Sequence, residues 1–385
     1  MKTGPSFSKI VPLTSFKFIS LKLSEVFYLS RMNFVKKIAY QILILWGVVT
    51  LVFVLFNVTG SDPVSQLVGE SATEEVKQNV RIKLGYHKTA WIRYCEYLNN
   101  LSPVGYYQEQ DAQGAFNMDT TLIRGVQIFS ISNSGIYLKW PSFGRSFITD
   151  QSVFELYLES FPGTLLLAIA SIVLSIIIGI PLGIWAYKWH GTWLDNLILF
   201  ISAIGVSGPS FFVAILVAWI GAVLLQPYTG LNMTGSWYEV DVWEGRYVNF
   251  SNMILPMITL MIRPLSVIVQ LVRSSMLEVM SMDYIRTARA KGVSEFKVLY
   301  KHALPNALNP VVTAISGWFA SLLAGAVFVE FVFGWKGIGQ LMYSALEKQD
   351  LPIIMAGVIW VAIIFILVHV LVEFIYRKLD PRISD

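Results

Sequence analysis

The sequence predicts an all-α polytopic membrane protein with six transmembrane helices and a long extracytoplasmic segment between the first and the second. Three observations carry this. Of 385 residues, 55% are hydrophobic and only 14% charged, against roughly 25% charged in an ordinary soluble domain, so lipid must act as part of the solvent. Six stretches stay apolar over roughly the 20 residues a helix needs to cross the hydrocarbon core. Lys and Arg gather in segments that alternate onto one side of those stretches.

The first span covers residues 38–58, IAYQILILWGVVTLVFVLFNV, preceded by Arg31, Lys36 and Lys37. Residues 1–31 read as an N-terminal extension or a mis-assigned start, because Met32 opens a compact basic approach to the span at 32–58 and no secretory signal is evident. Residues 59–161 follow as the extracytoplasmic segment. The second span, 162–187, has Pro162 in its first turn and GIPLG as a kink at Pro181. The third, 195–225, reads GVSGPSFF at its centre, so Gly205, Gly208 and Pro209 are expected to bend it. The fourth, 252–279, takes Asn252 as its cap and Pro256 in its first turn, and it carries Arg263 and Pro264 inside. The fifth, 309–330, opens with Asn309 as cap and Pro310, and the sixth, 352–376, opens with Pro352. Lys188 follows the second span, a basic stretch the fourth, and Arg377, Lys378 and Arg382 the sixth. With an even span number this puts both termini in the cytoplasm, while the long outer segment is exempt from the charge rule.

Several function classes find no support. The net charge of +4 is small and scattered, which excludes a nucleic-acid footprint, and the single Cys95 excludes an internal disulfide or a thiolate metal site. No phosphate loop, HExxH pair, GxSxG elbow or GxGxxG after a strand is present, so no catalytic, metal-binding or cofactor-binding residues are assigned. The four His residues are scattered and read as isolated polar contacts. No internal repeat is evident, which disfavours secondary transporters built from two similar halves.

The stretch DYIRTARAKGVSEFKVLYKHALPNALNP, residues 283–310, stands out. Ile285, Ala288, Gly292, Phe296, Leu299 and Ala303 recur at helical spacing as an apolar, small face, while Arg286, Arg289, Lys297 and Lys301 project elsewhere. Gly292 sits where a left-handed C-terminal residue is needed, Ser294 can cap a second helix, and Pro305 is expected to stop it. Arg289 and Lys291 end the first helix and Lys301 and His302 the second, each favourable at a negative helix end. A rigid elbow of this kind suits a soluble docking partner; an ordinary basic loop or a headgroup-bound helix are the other readings. Within the membrane, Arg263 lies about 15 Å of helix before Arg273 and is a pathway candidate, with outward snorkelling as the alternative. Glu330, closing the fifth span, together with Gly337 and Gly339 in FGWKGIGQL, is a candidate gate, with a solvated helix end as the alternative. Glu373 and His369 read as snorkelling or interhelical contacts.

The basic stretch resembles the cytoplasmic loop of ABC importer permeases, whose pattern is E-A-A, three residues, G, nine residues, I-x-L-P. Ala288, Gly292, Leu304 and Pro305 fall on it; Arg286 stands for the Glu, Thr287 for the first Ala and His302 for the Ile. RTARAKG and HALPNAL resemble the variant of the dipeptide/oligopeptide/nickel branch, and LVFVLFNVTGSDPV, FGRSFITDQSVFELYLESFPGTLLLAIAS and AGAVFVEFVFGWKGIGQLMYSAL extend the likeness to its B-type permease. Residues 102–139 have no counterpart and read as an insertion.

The resemblance implies a type I ABC importer permease in the bacterial inner membrane, with a core domain at 162–385 and a coupling loop at 281–305. It also implies a second homologous permease, two cytoplasmic ATPase subunits that use ATP and Mg, and an extracytoplasmic solute-binding protein. Arg286, Thr287, Ala288, Arg289, Lys291, Gly292, Leu304 and Pro305 would then couple the chain to the ATPases. The implied cargo is a dipeptide or oligopeptide, with nickel or another small solute as alternative. A self-contained channel or secondary transporter, and a membrane anchor acting through its outer segment, are the readings from other classes.

Overall fold

The computed structural model describes residues 34–57, 63–69, 72–108, 116, 125–131, 134–241, 243 and 245–379; the readings of residues 1–31 and of Arg382 lie outside them. Helix α1 (Phe34–Asn57) leads to three short helices, α2 (Pro63–Val68), α3 (Glu74–Lys83) and α4 (Ala90–Leu101). The fold then departs from the all-α expectation. Val104–Gln108 (β1), Gly125–Ile131 (β2) and Ser134–Lys139 (β3) form an antiparallel sheet in the order β1-β3-β2. Burial alternates residue by residue along β1 and β3, a period that suits a pleated surface and not a helix. Tyr107 and Tyr137 are buried on one face, where the Lys139 Nζ donates to the Asn100 carbonyl at 2.6 Å; Val104, Tyr106, Ile136 and Leu138 are exposed on the other. Strands Tyr238–Asp241 (β4) and Gly245–Val248 (β5) add a second hairpin.

Among the described residues, four helices are long and apolar enough to cross a membrane: α1, α5 (Val153–Lys188), α8 (Ser251–Met280) and α14 (Leu351–Leu379). Helix α5 starts nine residues before the expected span, so Pro162 lies inside it and not in its first turn. The GIPLG stretch serves packing. A Cβ at Gly183 would stand 2.6 Å from the Val272 Cβ and one at Gly179 2.8 Å from the Ile268 Cγ2, so the two glycines let α5 and α8 approach closely. Because residue numbers rise together along this contact, the two helices run in the same direction.

The third span is broken more sharply than its glycines suggested. Helices α6 (Trp193–Ser207) and α7 (Ser210–Trp219, continued by a π turn at Ile220–Leu224) meet at 110°. Both follow α8: Arg273 bonds Asp195 near the start of α6, Arg263 bonds Gly208 at its end, and Gly221 beyond α7 meets Leu255.

After α8 come α9 (Asp283–Ala290), the helical run α10 (Glu295–Ala307) and α11 (Asn309–Gly325); α10 and α11 differ in direction by 49°. Counting each bent pair as one span raises the candidates from four to six. Short helices α12 (Val327–Val332) and α13 (Ile338–Glu347) lead into α14.

Two expected caps and one expected helix stop are corrected. Asn252 lies within α8, and its amide donates to Ser236 O at 3.1 Å and Glu239 Oε1 at 2.5 Å, tying the helix to the preceding hairpin. Asn309 is already helical, because Leu308 ahead of it keeps α-helical angles. Pro305 does not stop its helix: it sits in the first turn of Leu304–Ala307 after a π turn at Val298–Ala303, where a missing N–H costs little. Glu373 makes the interhelical contact, pairing with Lys37 of α1, while His369 is exposed.

Candidate functional site

Three places collect the polar residues of interest. The first is the elbow formed by α9 and α10. Gly292 has φ +75°, the left-handed value its position between the helices requires, and its amide donates to Arg289 O. Ser294 occupies the cap position with extended angles, though no side-chain bond from it caps α10. Arg289 fastens the two helices by pairing with Glu295 at 2.7 and 3.2 Å, which raises its guanidinium above its ordinary range.

Ile285, Leu299 and Ala303 are buried against Ile268, Val272 and Met276 of α8 and Ile184 of α5, with Ala288 partly buried beside them. The small face therefore points into the protein's own core. Phe296, expected on that face, is 71% exposed instead and contacts the Tyr300 ring at 4.6 Å. With Arg286, Thr287, Lys291, Gly292 and Lys297 also exposed, the outward side of the elbow is basic and aromatic; Leu304 is half-buried and Pro305 exposed.

The second place joins α5 to α12 and α13. Glu330 is wholly buried: Thr164 Oγ1 donates to its Oε1 at 2.7 Å, and the amides of Gly339 and Gln340 donate to its Oε2 at 2.7 and 3.2 Å. These amides belong to the first turn of α13, where a carboxylate complements the helix dipole. Thr164 Oγ1 in turn accepts from Ile338 N at 2.8 Å, and Trp335 Nε1 donates to Gly163 O at 3.0 Å. Burial pushes the Glu330 carboxyl above its ordinary value, and the three donors offset this only in part.

Glu330 is thus neither solvated nor exposed to a passage. Gly337 and Gly339 are close-approach points of the same latch: a Cβ at Gly337 would strike the Glu330 carboxylate, and one at Gly339 would stand 2.5 Å from the Val327 Cα. The candidate gate residues are brought together, but as a latch.

The third place is the α6–α7 break. Arg263 Nη2 donates to Gly208 O at 2.8 Å, at the negative end of α6, while its Nε is buried without a partner. The side chain lines a cavity of about 100 Å³ together with Ser210, Thr259, Trp318 and Ser321. Ten residues further along α8, Arg273 grips the buried Asp195 with Nε at 2.5 Å and Nη2 at 2.7 Å, and Gly191 N and His190 Nδ1 complete the cluster. Arg273 is therefore a structural clamp, and His190 is part of a network and not an isolated contact.

Comparison with known proteins places this architecture. The family model for the "Binding-protein-dependent transport system inner membrane component" matches residues 179–385, more than half of the chain, and its N-terminal companion matches residues 31–120. The chain belongs to the binding-protein-dependent transport system inner membrane component family. Among relatives of this inner membrane component, the dipeptide transport system permease protein DppB of Alkalihalophilus pseudofirmus is 30% identical over 91% of this chain and 98% of its own length. The probable D,D-dipeptide transport system permease protein DdpB of Escherichia coli is 30% identical over 89% of this chain and 94% of its own length. An inward-facing structure of the MetNI methionine ABC transporter aligns with a TM-score of 0.45 and 18% identity, over 59% of this chain and 97% of that one.

Sequence reasoning singled out Gly292, Arg263, Glu330, Gly337 and Gly339 for this inner membrane component but missed their partners. Thr164 stands 166 positions from Glu330 and Asp195 stands 78 from Arg273. The one local signal was Asp195 at the margin of an apolar run, a position at which an unpaired carboxylate is costly.

Proposed function

We propose that this chain is the transmembrane permease subunit of an ATP-driven ABC importer for dipeptides or oligopeptides. The observation that carries this reading is the match to peptide permeases at 30% identity along nearly the full length of both chains. The chain performs no covalent step. It crosses the bacterial inner membrane six times, with the broken α6–α7 segment as the third span, α11 as the fifth and both termini in the cytoplasm. A second homologous permease completes the passage, an extracytoplasmic solute-binding protein delivers cargo, and two cytoplasmic ATPase subunits use ATP and Mg.

The elbow from 281 to 305 is the coupling loop. Its outward side supports this: Arg286, Thr287, Arg289, Lys291, Gly292 and Phe296 face away from the protein core, and a rigid helical knee resists deformation under load. Ala288 and Leu304 serve the same loop from inside, by fixing it to α5 and α8.

The decisive experiment is uptake of a labelled peptide panel into vesicles carrying the reconstituted complex, with and without ATP. Accumulation of peptide that needs ATP and the binding protein is the expected result; uptake independent of both would mean a self-contained channel or secondary transporter. Competition by nickel for the same uptake would favour the metal-transporting alternative.

A further inference from the structure

We propose that Arg263, at the α6–α7 break, receives the C-terminal carboxylate of the peptide during its passage through the permease. This rests on the peptide-importer reading above.

The argument starts from cost. A guanidinium about 15 Å along the helix from the Arg273–Asp195 clamp lies deep in the apolar layer, where a cation persists only beside compensating groups. Among the described residues Arg263 has no carboxylate partner; its guanidinium bonds the neutral carbonyl of Gly208 at 2.8 Å. Its Nε is buried and unpaired, so donor capacity remains. The charges buried among the long helices described above are otherwise answered: Arg273 by Asp195, Lys37 by Glu373, Glu330 by three donors.

The surroundings favour an anion in the open position. Arg263 shares its cavity with Ser210, the first residue of α7. No side chain caps α7, so the first amides of this ten-residue helix lack side-chain partners and carry the positive end of its dipole toward the same space. Ser321 adds a hydroxyl, and Trp318 adds an apolar wall. At about 100 Å³ the cavity suits a carboxylate, not a whole peptide. A planar guanidinium with a free edge matches that group, and every unmodified peptide ends in one whatever its side chains. The permease thereby gains a handle common to all its cargo.

The test uses the reconstituted complex with its binding protein, supplied with a labelled dipeptide as free acid or as C-terminal amide at equal binding-protein occupancy. Arg263→Gln should lower uptake of the acid about tenfold or more relative to uptake of the amide, as expected for loss of a charge-assisted bond. Ser321→Asp keeps the Arg263 bond to Gly208 but supplies an internal carboxylate, and it should produce the same selective loss. If Arg263→Gln does not reach the membrane, Ser321→Asp alone gives the readout. Parallel loss of acid and amide, or an acid-to-amide ratio equal to that of the unmodified complex, would overturn the proposal. An unmodified complex that moves no peptide would instead refute the importer reading itself.

Discussion

Replacing Glu330 by Ala would strip the acceptor from Thr164 Oγ1, Gly339 N and Gln340 N at once, in a site with no exposure. Each orphaned buried donor costs about 1–3 kcal/mol, and the void left by the side chain adds to this. Because the three share one pocket and a water can enter it, the sum is discounted to about 3–6 kcal/mol. Glu330→Gln retains the volume. Its carbonyl oxygen can accept both α13 amides while its NH₂ faces Thr164 Oγ1, so the latch stays filled, and the uncharged side chain avoids the burial cost of the carboxylate.

Equilibrium unfolding by SDS in mixed micelles should therefore place both the native protein and Glu330→Gln well above Glu330→Ala. The two substitutions falling within about 1 kcal/mol of each other would refute the latch. A pH effect has a definite sign. The folded protein holds this carboxyl above its ordinary value, so it prefers the protonated form. Stability is then fullest below the ordinary carboxylate range and declines as pH rises through that range toward the raised folded value. Glu330→Gln should abolish that decline.

Gly292→Trp should insert normally, lose peptide uptake and retain ATP hydrolysis, whereas Gly292→Asn, which tolerates φ +75°, should keep substantial uptake; equal uptake by both would remove the elbow from coupling. Arg273→Ala leaves the buried Asp195 without its bidentate partner and should destabilise by about 3–5 kcal/mol, read as lowered resistance to SDS. Lys139 is held down to about 8 by burial, so the unfolded chain binds more protons than the folded one between that value and the ordinary Lys range. Protection of the β1-β3-β2 sheet from proteolysis should thus rise across this window, and Lys139→Met should flatten the rise.

What could be read in the sequence follows the range of the physics involved. Spans are set by local hydropathy, and the Gly205, Gly208 and Pro209 group announced a break because those residues act on their own backbone. The left-handed Gly292 was legible for the same reason. The caps at Asn252 and Asn309 failed because a side-chain amide takes whichever partner the tertiary fold supplies, here the hairpin at Ser236 and Glu239 for Asn252. The direction of the elbow's apolar face also needed tertiary information: periodicity identifies a stripe at Ile285, Leu299 and Ala303 but not whether α8 or a partner covers it. Phe296 fits the stripe by spacing yet lies outside it, because Gly292 turns the chain between the two helices.

These placements constrain how force could cross the protein. The elbow is fixed to α5 as well as to α8, through Ile184 and through Ile268, Val272 and Met276, and the glycine contacts at 179 and 183 bind those two helices in the same direction. Close-packed helices of this kind move as one body, because sliding would lose many dispersion contacts together. A push on the elbow is then delivered along α5 to Thr164, and the Glu330 latch receives it at α12 and α13. The α6–α7 segment meets the same body at Asp195–Arg273, Gly205–Ser266, Gly208–Arg263 and Gly221–Leu255, with a 110° joint between its halves. The 110° break interrupts the helical hydrogen-bond ladder between its halves, so the two can turn relative to each other without breaking a continuous helix, which makes the joint beside Arg263 the natural place for the passage to change shape.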